Sequence, residues 1–148
     1  MNFIQGVVNE YLRADRAMFV TTECSIQLIP GTLIGRTGPH CFCNAIAVNR
    51  RDKEAFLCEV TYSKTLGALD NRLTGWASRW NAVRSALARD CGLRQAWPVR
   101  PWLFVPYDLR TPLEEKLLRI PNVGDDPGQM PFPKITDLEE VAQWKYKS

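Results

Sequence analysis

Apolar and polar positions alternate between two rhythms along this chain, and the switches between them mark the elements. Residues 3–13 place Phe3, Ile4, Val7, Val8, Tyr11 and Leu12 on one broad arc at helical spacing. Glu10 falls at the edge of that arc, one turn beyond Val7. Residues 18–29 are rich in β-formers and stop at the turn signal Pro30-Gly31. Two short apolar runs follow, 42–48 (Phe-Cys-Asn-Ala-Ile-Ala-Val) and 55–61 (Ala-Phe-Leu-Cys-Glu-Val-Thr). The charged connector 49–54 is too polar to continue either run, so the pair predicts a hairpin.

The helical period then returns. Leu66, Leu69, Leu73, Trp76, Trp80, Val83 and Leu87 predict one long amphipathic helix, with Gly92 placed to end it in the left-handed conformation. Trp102-Leu-Phe-Val105 reads as a short buried strand that begins at Pro101. Thr111-Pro112-Leu113-Glu114 carries a capping box and predicts a short helix through Leu118. Residues 121–134, dense in proline and glycine, predict irregular chain, and Asp137 with Glu140 a last short helix. The expected architecture is α/β: a mixed sheet of about four strands flanked by helices, in the order helix, three strands, helix, strand, helix. One domain spans 1–148, with its core in about 3–106 and a C-terminal segment, 107–148, of helices and Pro/Gly-rich chain.

Composition narrows the class. The chain is 45% hydrophobic and 24% charged, as ordinary globular proteins are. No apolar stretch approaches the roughly 20 residues of a membrane span, and the first residues lack a signal-peptide pattern. Five cysteines without a secretory signal predict free thiols in a reducing cytoplasm. His40-Cys41-Phe42-Cys43 offers three zinc ligands but no second pair, so small buried side chains are the better reading. A net charge of +3 permits a nucleic-acid partner without indicating one. There is no glycine-rich phosphate loop, GxSxG or HExxH.

The chemically informative residues are the polar ones inside the hairpin. A carboxylate in a core strand costs several kcal/mol unless a cation, a metal or hydrogen bonds satisfy it. Glu59 is such a residue. Alternation puts Glu59 and Thr61 on one face, while Asn44, Ile46 and Val48 share a face of the neighbouring strand. That element order, with Asn44 heading the second strand and Glu59-x-Thr61 in the third, resembles the restriction-endonuclease-like PD-(D/E)xK superfamily over about residues 3–106.

The resemblance implies a Mg²⁺- or Mn²⁺-dependent hydrolysis of DNA phosphodiesters. Glu10, Asn44 and Glu59 would be the metal ligands, with Glu59 and Thr61 at the motif's catalytic positions. Two positions depart from the motif: Asn44 stands where the family has aspartate and Thr61 where it has lysine. Lys64 could restore the missing cation, and Glu23 or Asp52 could supply a migrated acid. Lys64, Arg72 and Arg79 beside the tryptophan stripe could meet DNA phosphates.

Each residue also has a structural reading: Glu59 paired with Arg72 or Lys64, Glu10 on a solvated flank, Asn44 capping its strand, the arginines in water, the tryptophans in the core. The alternative function is a catalytically silent relative that binds nucleic acid or protein. A homodimer or a protein partner docking on 121–134 stays open.

Overall fold

The computed structural model describes residues 3–27, 40–94 and 97–141, and the side chains of all of these except 23–27 and 40–42. Helix α1 (Phe3–Arg13) leads into β1 (Met18–Gln27), β2 (His40–Asn49) and β3 (Glu54–Val60). Helices α2 (Gly67–Ser78) and α3 (Trp80–Cys91) carry the chain over to β4 (Val99–Val105). A 3₁₀ turn, Tyr107–Leu109, runs into α4 (Arg110–Leu117), and β5 (Lys134–Asp137) completes the sheet. Among the described residues the sheet has five strands in the order β1-β2-β3-β4-β5. The first three are antiparallel, whereas β4 is parallel to β3, and β5 to β4.

Strand alternation sends side chains to two cores. On one face Ile46, Val48, Leu57, Leu103 and Val105 pack with the apolar stripes of α2, α3 and α4. On the other, Ala45, Ala47, Phe56, Cys58, Trp102 and Phe104 meet Val8 and Leu12 of α1, and Val141. The fold is therefore three layers, with α1 and the crossover helices on opposite sides of one mixed α/β sheet. The core also reaches past residue 106: Leu113, Leu117, Ile120, Met130 and Val141 are all buried in it.

Four details differ from the sequence expectation. The single long helix is two, broken at Arg79 (φ −126°, ψ 27°). A straight helix over 66–91 would run about 39 Å, far beyond a seven-residue strand of about 23 Å. The break keeps both Trp76 and Trp80 on the sheet. It follows Gly75 and Ser78, whose hydroxyl donates to the Gly75 carbonyl (2.9 Å), a competing bond that bends helices.

Strand β4 begins at Val99, two residues before Pro101. Pro101 is tolerated because even-numbered residues there face β3, with the carbonyls of Pro98 and Phe104 accepting from Ala55 and Thr61. The β4–β5 ladder starts only at Trp102, so the absent N–H breaks no pairing.

The capping box does not form. The 3₁₀ turn feeds α4 from Leu109, which makes no side-chain cap, and Pro112 lies within the first turn, where its missing donor is unneeded. Finally, β5 has four residues and only Ile135 as an apolar member, too little to register as a strand in sequence. Asp137 closes it and pairs with Arg110 (3.1 Å), and the last helical turn begins at Leu138.

Candidate functional site

The polar residues singled out in the hairpin meet where β3 emerges toward α2. Glu59 is 5% exposed and shares a sheet face with Leu57 and Leu103, beneath α2. Its Oε1 accepts from a guanidinium nitrogen of Arg72 at 2.6 Å. Arg72 lies on α2, and its side chain is 41% exposed. The Asn44 backbone N–H also helps hold the carboxylate. Burial nevertheless outweighs these partners and raises the Glu59 carboxyl above its ordinary value.

Asn44 performs a backbone task. The β2–β3 ladder ends at the Ala45–Cys58 pair. One step on, the Val60 N–H points toward β2 and is accepted by the Asn44 side-chain oxygen at 2.8 Å. A side-chain amide thus replaces the next ladder carbonyl and satisfies a donor that would otherwise be orphaned. Strict alternation is not kept across Asn44: Cys43 packs with Ile46 and Val48 on the crossover-helix side.

The other sequence candidates are dispersed. Glu10 is exposed on α1, the layer opposite α2, so it and Glu59 approach the sheet from different sides. Thr61, half-buried just past β3, donates its N–H to the Phe104 carbonyl at 3.0 Å. Lys64 is exposed in the β3–α2 connection, and Arg79 is exposed at the helix break.

Asp52 does not serve as a migrated acid. It sits in the β2–β3 turn, about 17 Å of strand from Glu59, and its carboxylate and N–H close a ring with the Asn49 side chain (3.1 and 3.0 Å). The side chains of Glu23, His40 and Cys41 lie outside the described residues. Cys43 and Cys58 are buried cysteines, and Cys91 is a half-buried one.

A hard divalent ion fits this arrangement poorly. Mg²⁺ wants anionic and neutral oxygens with free lone pairs. Here the buried carboxylate faces a cation and the amide oxygen is spent on a backbone donor. Among the described residues no group of three or more His, Cys, Asp or Glu side chains could hold a metal ion.

Sequence reasoning missed the surroundings. Tyr62 and Tyr107 follow the parallel strands β3 and β4 and are 56% and 66% exposed. With Lys64 they put two rings and a cation at one end of the sheet, where open α/β sheets place their ligands. The signal available was an aromatic residue just past each strand.

No protein-family model matches the chain, and neither does any curated protein. Among solved structures, an XisH family protein from Nostoc punctiforme is similar over 95% of this chain and 94% of that one, at 19% identity and a TM-score of 0.48. The order seen in the chain itself (helix, three antiparallel strands, helices, parallel strand) is the one that the resemblance to the restriction-endonuclease-like superfamily implies. No helix among the described residues is long and apolar enough to cross a membrane.

Proposed function

We propose that the chain is a catalytically silent relative of the restriction-endonuclease-like nucleases, a module that binds nucleic acid without cleaving it. The ion pair between Glu59 and Arg72, at 2.6 Å, carries this reading. Hydrolysis at this position would require the carboxylate to hold a metal that activates water and offsets charge on the phosphate. A guanidinium already supplies the positive charge there, and the neighbouring motif position is a neutral amide fixed on Val60.

Binding makes smaller demands. A strand can be held by cations on its phosphates and by rings against its bases, with no ion in between. Lys64 with Tyr62 and Tyr107 supports docking at the C-terminal ends of β3 and β4.

The test incubates the protein with plasmid and linear DNA in Mg²⁺ and in Mn²⁺, beside a mobility-shift assay. Glu59→Gln keeps an acceptor for Arg72, so it serves as the control that folds. The expected result is no cleavage in either metal, a shift retained by Glu59→Gln, and a weaker shift for Lys64→Glu. Cleavage lost in Glu59→Gln would overturn the proposal in favour of a working nuclease. Neither cleavage nor shift would remove nucleic acid as the ligand and leave a protein partner.

A further inference from the structure

On the α1 side of the sheet, cross-strand pairing sets Trp102 beside Lys134, and alternation puts Phe56 on the same face. Helix α1 covers part of that face with Tyr11 and Leu12 and stops at Arg13. Just past its last turn lies a cavity of about 330 Å³, closed on its other side by the β2–β3 turn. That volume falls at the low end of the range for small-ligand sites.

One part of the lining is aromatic. Phe56 and Trp102 meet edge to face with ring centres 4.9 Å apart, and Tyr11 stands edge-on to Trp102 at 6.4 Å. The Lys134 Nζ lies over the Trp102 ring, 4.0 Å from its centre, and 5.7 Å from that of Phe56. Both distances are within the reach at which the negative face of a ring attracts a cation. A primary ammonium therefore already sits on one wall of this cavity.

The other part is acidic. Asp15, just past α1, and Asp52 and Glu54 of the hairpin line it. Arg51 engages Asp15 at 2.7 Å and Asp52 at 3.3 Å. Among the described residues no salt bridge engages Glu54. Ala14 lines the cavity as well, so the negative end of the α1 dipole adds to the same field. Among the described lining residues, three carboxylates thus stand against one ammonium. That balance suits a cation, and the ring faces suit one that brings an apolar stem.

We infer that this cavity binds a primary alkylammonium, its charge between Glu54 and the Trp102 ring and its methylenes along Phe56 and Tyr11. Lys134 is the resident competitor. It is exposed and belongs to the edge strand β5, so its ammonium is free to leave for water when a ligand takes the ring face. A free diamine and the lysine side chain of another protein share this chemistry. The site is separate from the Tyr62–Lys64 surface: Glu54 opens β3, whereas Tyr62 follows its far end.

Titration of the full chain with 1,5-diaminopentane at constant ionic strength, followed by the amide and indole N–H signals, tests this. The N-acetylated amide of lysine is the second probe, and 1,5-pentanediol is the uncharged control. The diamine is expected to shift the Trp102 indole and Glu54 amide signals saturably, and the diol to leave them in place. Lys134→Met should tighten the diamine by about fivefold or more, and Glu54→Gln should weaken it by about the same factor. Lys64→Glu should leave it unchanged. Lys134 is exposed and Glu54→Gln keeps the side-chain shape, so both variants keep the fold, which melting curves verify.

A lysine amide that binds within about fivefold of the diamine assigns a partner's side chain as the ligand; a wider gap in favour of the diamine assigns a free polyamine. No saturable shift, a diol that binds as well as the diamine, or diamine affinities within about twofold of wild type in both variants would overturn the inference.

Discussion

Replacing Arg72 by leucine strands Glu59 under α2 with no cation, and the size of the resulting loss follows from the surroundings. Glu59 is 5% exposed, so its charge has little access to water. Breaking a fully buried pair costs about 3–5 kcal/mol. Arg72 is 41% exposed, so water partly screened the interaction that is lost, and about 1.5–3 kcal/mol is the better figure.

Protonation sets an upper bound. At pH 7 a carboxyl of ordinary value 4.5 takes up a proton at a cost of 2.5 × 1.36, about 3.4 kcal/mol. The charged buried form is abandoned once it becomes costlier than that. At pH 5 the same bound is about 0.7 kcal/mol, so the loss should nearly vanish. Urea unfolding at both pH values measures it, and in a chain of this size a loss of about 2 kcal/mol lowers the melting temperature by roughly 4–8 °C. The double variant Arg72→Leu with Glu59→Leu should recover most of the stability at pH 7. A loss at pH 7 below about 0.5 kcal/mol, or one as large at pH 5, would refute the reasoning.

Three further outcomes are expected. Burial raises the Glu59 carboxyl above its ordinary value, so the folded state holds this proton more tightly than the unfolded chain. Stability of the wild type relative to Glu59→Gln should therefore fall as pH rises from the ordinary carboxyl value through the folded one; unfolding curves across that window check the sign. Trp102→Phe removes the buried bond from the indole N–H to the Thr136 hydroxyl (2.9 Å) and should cost about 1–3 kcal/mol, with part recovered by adding Thr136→Val. Gly92→Ala places a Cβ that meets nothing within 4 Å, so its whole cost, about 1–2 kcal/mol by denaturant titration, is that of a left-handed backbone.

Much of the framework was legible because burial writes itself into periodicity. The apolar arc of α1, the β2–β3 hairpin and Gly92 at the end of α3 stand where the pattern puts them. The break at Arg79 was not legible, since the apolar stripe runs through it without interruption. It reflects the length of the sheet, a property of the assembled fold. Strand β5 was hidden for a similar reason: parallel pairing with β4 makes Lys134–Asp137 a strand, and the local sequence does not.

At the candidate site, a buried Glu59 and its cation on the following helix could be read from an acid within an apolar run and an arginine thirteen residues on. The work of Asn44 on the Val60 N–H could not, because it depends on where the ladder ends. Nor does spacing reveal that α1 and α2 cover opposite faces, which separates Glu10 from Glu59.

Titration with Mn²⁺, followed by paramagnetic broadening of amide signals, tests the central claim most directly. With the Glu59 carboxylate held by Arg72, the signals of Asn44, Glu59 and Val60 should persist at millimolar metal and behave alike in wild type and Glu59→Gln. Selective broadening of those three signals at micromolar Mn²⁺, abolished by Glu59→Gln, would contradict it.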